Sequence, residues 1–580
     1  MKGRAFHRQL RTWLFALGSV VLLASCAHRD LIRKNYINIP DDFSQATGSD
    51  YFTLRASAEA EMTNAMGVSQ ADKDGRPFLG VAISGGGSRA ANFGLYVLEE
   101  LDRLGILDRV DAISSVSGGS IEAAHFGLYY PELKGAYWAQ AEEDMRQDFR
   151  DDWLLRHANP SSWRTLYQRD FNASTMLAET YDEKLFHGAT FRKLGAPGPG
   201  RPHILINATA IRNPGGFPPL CVAQGQNGDV SGLGTFVFTT RAFMYCLGSQ
   251  LGPYSIAQAV AASSAYPGLF SPVALQTYPT MNNQGRRRKE YLHLIDGGVA
   301  DNLGVDALIA AANERRLAGL RSDDTDGTRR TLDDPVPCFL IVVDAHIDGG
   351  EKLENEYADL RHTLLDRTID PSWSYAFDGL LQRRRYDTLL NLGIDTNKHV
   401  DERDYARATA GHTIALREDR GLTQKHIGNL VMVMPNDSDL MCAAWHISLR
   451  DVYWLGADQS RVLSDDDSQL KRLSVNAMVT NADTDLKLTG GIGCDPLQYQ
   501  AALSDAAKIL IREDAPSLSI LHDWLVAHDV PVSGRWQADA YGTNGRSFLV
   551  TGVSRGPLGT PSGRIRCLAH AVPKESPVHD

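Results

Sequence analysis

Two short apolar runs, each ended by a turn that only small residues can make, constrain this chain more than any other feature. Phe78-Leu79-Gly80-Val81-Ala82-Ile83 breaks off into Ser84-Gly85-Gly86-Gly87-Ser88-Arg89. A second strand-like stretch, Val110 to Val116, ends in Ser115-Val116-Ser117-Gly118-Gly119-Ser120. Short continuous apolar segments bounded by such turns read as strands buried on both faces. Between them, Phe93, Val97, Leu98, Leu101 and Leu104 recur at helical spacing and Gly105 stops the pattern. Ile121 to Tyr129 reads as a second helix. Strand, glycine loop, helix, strand, tight turn, helix is the order of a parallel sheet covered by helices.

The pattern continues downstream. Strands are predicted at His203–Ala210, Thr235–Thr240, Tyr291–Ile295 and Phe339–Asp344, and helices at Ser255–Ser264 and Val305–Arg316. Arg321–Pro335 reads as a charged surface loop, and 351–395 as an exposed helical stretch. A strand, a strand and a helix follow at Gly428–Met434, Ala443–Leu449 and Gln498–Arg512. The domain scheme is 1–26 as an export signal, 27–75 as a linker with a short helix, and 76–346 as an α/β core. Residues 347–530 form an α+β extension packed on that core, and 531–580 a weakly ordered tail. With 580 residues, 43% of them hydrophobic, the chain can bury a large core. Its net charge of -11 disfavours nucleic acid as a general partner, because phosphate binding needs a positive surface.

The N-terminus is basic (Lys2, Arg4, Arg8, Arg11), then apolar from Trp13 to Leu23, then Leu23-Ala24-Ser25-Cys26. The apolar run is about half of what a membrane span requires. Leu-Ala-Ser-Cys resembles the lipobox of bacterial lipoproteins. That resemblance implies a mature chain starting at an acylated Cys26, with palmitate-type chains holding it to a membrane. Ala27 after the cysteine implies the outer membrane, on its periplasmic or surface face. Of the remaining cysteines, Cys338 reads as a buried thiol in its strand. Cys221 and Cys246 flank a hairpin and suit a bridge in an oxidising compartment. No Cys/His cluster has metal-ligand spacing.

Three segments carry chemistry. Gly85-Gly86-Gly87 lets the backbone approach a ligand and turns N–H groups toward negative charge at a helix N-terminus. That makes an oxyanion hole or a phosphate loop; Gly85-x-Gly87-x-x-Ala90 also fits the dinucleotide fingerprint. No acidic residue ends the next strand, as ribose binding requires, and no Gly-Lys-Ser/Thr follows. Ser115-Val116-Ser117-Gly118-Gly119 fits a nucleophile elbow, with Ser115 in the place of the usual first Gly; it also reads as a polar turn with Ser117 as N-cap. Asp296-Gly297-Gly298 puts a carboxylate at the carboxyl end of a strand, or is simply a turn.

Taken in that order, the three resemble the patatin-like phospholipase family over Phe78 to Ala345. Ala261-Ala262-Ser263-Ser264-Ala265-Tyr266-Pro267-Gly268-Leu269-Phe270-Ser271-Pro272 and Asp301-Asn302 add to the likeness. The resemblance implies a three-layer α/β fold whose mostly parallel central sheet is flanked by helices, with the C-terminal extension added to it. It implies a serine acyl hydrolase (phospholipase, lysophospholipase or esterase) working through a Ser117–Asp296 dyad and an acyl-enzyme. Gly85, Gly86, Gly87 and Arg89 then form the oxyanion hole, and Ser115, Gly118 and Gly119 the elbow. Neither metal nor cofactor is called for, and the partners are a lipid or other acyl ester and the membrane. His346 is formally placed to make a triad. The alternative is a membrane-tethered binding protein that kept the fold without the activity. Tyr129, Tyr130, Tyr137, Trp138, Trp153, Leu154, Leu155, Trp163 and Tyr167 crowd the stretch after the elbow helix. They read either as an apolar lid or as the core of a helical cap.

Overall fold

The computed structural model describes residues 38, 77–159, 172–211, 234–278, 290–321, 336–347, 372–392, 422–427, 430–435, 440–449, 496–512, 521–522 and 524–528. The expected signal with Cys26, the linker helix, most of the 321–335 loop, Cys221, Trp163, Tyr167 and the tail from 531 lie outside them. Among the described residues no helix is long and apolar enough to cross a membrane.

The strands are β1 (Phe78–Ile83), β2 (Ala112–Val116), β3 (His203–Ala210), β4 (Gly234–Val237), β5 (Val273–Thr277), β6 (Glu290–Asp296), β7 (Val336–Asp344), β8 (Leu422–Ile427), β9 (Leu430–Pro435) and β10 (Leu440–Ser448). The helices are α1 (Gly87–Arg103), α2 (Gly118–Leu133), α3 (Tyr137–Asp144), α4 (Phe149–Ala158), α5 (Ala173–Tyr181), α6 (Ile256–Ser263), α7 (Gly298–Asp301), α8 (Val305–Arg321), α9 (Ser372–Asn391) and α10 (Pro496–Arg512). They build an α/β fold around one sheet with strand order β5-β6-β3-β2-β1-β7-β10-β9-β8, and β4 pairs with β3 off that path. The five central strands, β3 through β10, run parallel. Both flanks are antiparallel.

Strand alternation sorts side chains onto two faces. Leu79, Val81 and Ile83 of β1 and Phe339, Ile341 and Val343 of β7 join α1, α2, α6 and α10 in the larger core. Phe78 and Ala82, with Leu340 and Val342, face α8 and α9 through Leu308, Ala312 and Leu389. Burial on both faces explains why these strands read as unbroken apolar runs. The result is a helix–sheet–helix sandwich in which the parallel strands aim their carboxyl ends at one edge.

Two expectations change. Helices α1 and α2 open on Gly87 and Gly118, ahead of the apolar positions that mark them in the sequence, because Gly87, Gly118 and Gly119 belong to the first helical turn and not to a loop before it. Cys338 is not a free thiol. It is bridged to Cys442, its direct register partner on the neighbouring parallel strand, with Cα atoms 4.3 Å apart. The β7–β10 pairing that joins them spans 104 residues of sequence and leaves no local mark. Cys246 is also disulfide-bonded.

The described aromatic residues of and after the elbow helix form a core. Phe126 stacks on Tyr130 at 4.5 Å, and Tyr137 meets Phe126, Tyr130 and Trp138 edge-on. Asp102 of α1 accepts from Tyr130 Oη at 2.6 Å and from Trp138 Nε1 at 2.9 Å, which fixes α2 and α3 to α1. Among the described members of the set, Leu154 and Leu155 stand exposed.

Candidate active site

Three strand ends converge on one point. Ser117 directly follows β2 with φ 50° and ψ -124°, a conformation that side-chain-bearing residues rarely adopt. Such a bend turns its Oγ out of the sheet at the N-terminus of α2, the geometry of a nucleophile elbow. What makes the bend possible is the absence of side chains around it. A Cβ at Gly118 would lie 2.0 Å from Gly87 O, and one at Gly119 would lie 2.6 Å from Ser84 O. The elbow and the glycine loop are therefore in backbone contact. Ser115 takes the place of the elbow's first glycine without conflict, fully buried in β2.

Ser263, at the end of α6, holds the elbow. Its Oγ accepts the Ser117 N–H at 2.8 Å, contacts Ser120 Oγ at 2.9 Å and donates to Asn207 O at 2.6 Å. Asn207 is in turn fixed by Nδ2 bonds to Ser114 Oγ and Ser115 O.

Asp296 ends β6. Its Oδ2 accepts from Ser117 Oγ at 2.8 Å, and its Oδ1 accepts from the Gly298 N–H at 2.8 Å. Its backbone is pinned on both sides: its N–H donates to Ala265 O at 3.0 Å, and Thr209 Oγ1 donates to its carbonyl at 2.7 Å. Burial pushes the Asp296 carboxyl up to about 6, against the lowering effect of the Gly298 N–H and the Ser117 hydroxyl. A carboxylate with a pKa near neutrality is suited to taking and returning a proton. No histidine is bonded to Ser117 or Asp296 among the described residues. His346, the formal triad candidate, is not bonded to either one, and its backbone N–H donates to Asp344 Oδ1.

The glycine loop faces this pair, but its members differ. The Gly85 N–H is committed to Asn302 O at 3.0 Å, which removes it as an oxyanion donor. Gly86, with φ 141°, and Gly87, with φ 56°, are partly exposed, and Gly87 opens α1 where backbone N–H groups have no intrahelical acceptor. Arg89 is buried and does not face the pair as a free charge: its Nε donates to Ala345 O at 2.8 Å, tying the loop to the end of β7.

Sequence reasoning missed the supports. Asn302 was noted only as part of a pattern, yet its side chain lies between the glycine loop and the Asp-Gly-Gly turn. A Cβ at Gly85 would meet Asn302 Oδ1 at 2.5 Å, and one at Gly298 would meet it at 2.7 Å. Asp301 caps the start of α8, accepting from the N–H groups of Leu303 and Asp306. Ser263 and Asn207 gave no signal of their own beyond the small-residue run around 261–265.

Residues 81–309 match the family model described as patatin-like phospholipase. That stretch is similar to a patatin-like phospholipase domain. Its glycine loop, elbow and Asp-Gly-Gly turn all fall inside that domain. The family is one of lipid acyl hydrolases. Among solved structures, human GIVD cytosolic phospholipase A2 is similar at 12% identity and a TM-score of 0.41, covering 84% of this chain and 65% of that chain. The same human protein in complex with methyl gamma-linolenyl fluorophosphonate gives 11%, 0.39, 83% and 65%. This chain thus spans 65% of the length of those structures. No curated protein matches the sequence.

Proposed function

We propose that the patatin-like domain cleaves carboxylic esters of lipids with Ser117 as nucleophile and Asp296 as base. The observation that carries this is the 2.8 Å bond between Ser117 Oγ and Asp296 Oδ2, made at an elbow of positive φ. In the acylation half, Oγ attacks the ester carbonyl while its proton passes to Asp296. The carbonyl oxygen gains the electron pair and is held by the N–H groups of Gly86 and Gly87. Collapse of that intermediate expels the alcohol, which takes the proton back from Asp296. In the second half, water gives a proton to Asp296 and attacks the acyl-enzyme; the acid leaves and Ser117 regains its proton. The orientation of Asp296 by the Gly298 N–H supports a role as base, as does its raised pKa.

The test is labelling of the full chain by a fluorophosphonate probe. Labelling abolished in Ser117→Ala, and slowed by about 10²–10⁴-fold in Asp296→Asn, is the expected result. A wild type that does not react would favour the non-catalytic binding protein instead. Phospholipids, lysophospholipids or simpler esters are the substrate class, to be separated by acyl release from a lipid panel.

We also propose that Cys26 is acylated and anchors the protein to the outer membrane, a reading that the Leu-Ala-Ser-Cys sequence supports. Incorporation of labelled palmitate that persists in Cys26→Ala would refute it.

A further inference from the structure

We infer that Arg385 of α9 is a positioning residue for the dyad, acting through a buried ion pair with Asp344 that braces the glycine loop and the Asp-Gly-Gly turn together. The inference rests on the Ser117–Asp296 reading. It assigns a task to a part of the chain that lies beyond the family-matched stretch.

The ion pair sits at the carboxyl end of β7. Asp344 is fully buried; its Oδ2 accepts from Arg385 Nε at 2.7 Å and is bonded to His446 Nε2 at 2.8 Å, and Arg385 Nη2 closes the ion pair at 2.5 Å. Its Oδ1 takes the His346 N–H at 3.0 Å. Burial alone would favour the neutral acid, but Arg385 and His446 outweigh it and hold the carboxyl well below the usual range. The group is therefore a carboxylate, and His446 must donate to it through Nε2–H. A buried charge of this kind persists only while its partners stay in place. Arg385 comes from α9 and His446 from β10, so the extension supplies both.

One arm of the brace reaches the glycine loop. The bond from the His346 N–H fixes the turn at 344–346, and Ala345 in that turn holds the loop at two points. Its N–H donates to Ser84 Oγ at 2.9 Å, and its carbonyl accepts from Arg89 Nε at 2.8 Å. A Cβ at Gly86 would already touch Ala345 Cβ at 3.7 Å. The turn is thus the wall behind the N–H groups assigned to the oxyanion.

The other arm reaches the base. Leu381 lies four residues before Arg385, on the same face of α9. A Cβ at Gly298 would meet Leu381 Cδ2 at 3.2 Å. Gly298 is the residue whose N–H orients Asp296 Oδ1. Leu381 therefore backs the amide that aims the carboxylate, and the Arg385–Asp344 pair keeps Leu381 there. Arg385 makes no hydrogen bond to Ser117 or Asp296.

Loosening α9 weakens the Gly298–Asp296 bond, one of the two influences that pull the Asp296 pKa down. A loss of fold would not move that pKa in the surviving enzyme; a loss of positioning would move it up. The experiment is ester turnover and fluorophosphonate labelling of the full chain against pH, for wild type, Arg385→Gln, Arg385→Lys and Leu381→Ala. Arg385→Gln is expected to lower kcat by at least about ten-fold with KM within about two-fold, and to shift the acid limb of the rate profile upward. Arg385→Lys should restore part of kcat, since it keeps the charge. Leu381→Ala, which leaves the ion pair intact, should move kcat and the limb in the same direction by a smaller factor. If Arg385→Gln does not fold, Leu381→Ala decides. Wild-type kcat and limb in the folded variants would overturn the inference while leaving the dyad standing. A wild type that neither labels nor turns over would overturn both.

Discussion

The acid limb of the rate profile is the sharpest consequence of the site. Because burial holds the Asp296 carboxyl at about 6, its ionised fraction falls steeply in a range where an exposed aspartate would be fully charged. At pH 7 about nine tenths of the molecules carry the carboxylate; at pH 5 about one tenth do. An aspartate at its ordinary 3.8 would still be about 95% ionised at pH 5. The two cases therefore differ about ten-fold in kcat/KM at that pH, with a further ten-fold loss for each unit below. The perturbation is pH alone, applied to enzyme in buffers of constant ionic strength. The assay is initial hydrolysis of a chromogenic acyl ester, with each sample returned to pH 7 to show that activity recovers. The limb should follow a single ionisation and should vanish from the residual rate of Asp296→Asn. A limb near 4, or one unchanged in Asp296→Asn, would refute the assignment of a buried base at this position.

Other outcomes follow from the packing. Gly118→Ala puts a methyl onto the Gly87 carbonyl, separating elbow from loop; fluorophosphonate labelling should slow by about 10²-fold or more, and a near-normal rate would show the contact is dispensable. Cys338→Ser/Cys442→Ser opens a closure of 104 residues and should cost about 2–4 kcal/mol, read as a lower denaturation midpoint that wild type matches only under reductant. Glu122, fully buried with Tyr137 Oη donating to it at 3.0 Å, has its pKa raised well above 4.5, first by burial and then by Asp144, against the Tyr137 bond. The folded protein thus keeps a proton that the unfolded chain releases, so stability declines as pH rises above about 4.5. Glu122→Gln removes that slope. Its melting temperature should exceed wild type at pH 8, with the gap closing toward pH 4.5; a constant gap would contradict the reasoning.

The central sheet was readable because burial on both faces leaves short, largely apolar runs: Phe78–Ile83 is unbroken, and His203–Ala210, interrupted only by Asn207 and Thr209 after its first residue, was bounded to the residue. The small residues of the site were readable as a set because there is no room at them: Gly118, Gly119 and Gly297 meet other backbone, and Gly85 and Gly298 meet the Asn302 side chain. The edges were not. β5 (Val273–Thr277) has only Leu275 fully buried, so it carries no alternation strong enough to mark a strand. The division of labour among the glycines was invisible too, because whether Gly85 has a free N–H depends on where Asn302 O arrives from 217 positions away in the chain. The Cys338 bridge and the Arg385–Asp344 pair depend likewise on which distant segment docks beside β7.

The strand order has a practical side. β7 lies in the middle of the sheet, between β1 and β10, yet it follows the family-matched stretch in the chain. A fragment ending at 309 would strip β1 of one neighbour and present a bare row of peptide groups to solvent, an invitation to aggregate. A fragment ending at 346 would only move that raw border to β7. Minimal versions for crystallisation or screening should therefore retain the sequence through β10, however dispensable it looks by alignment.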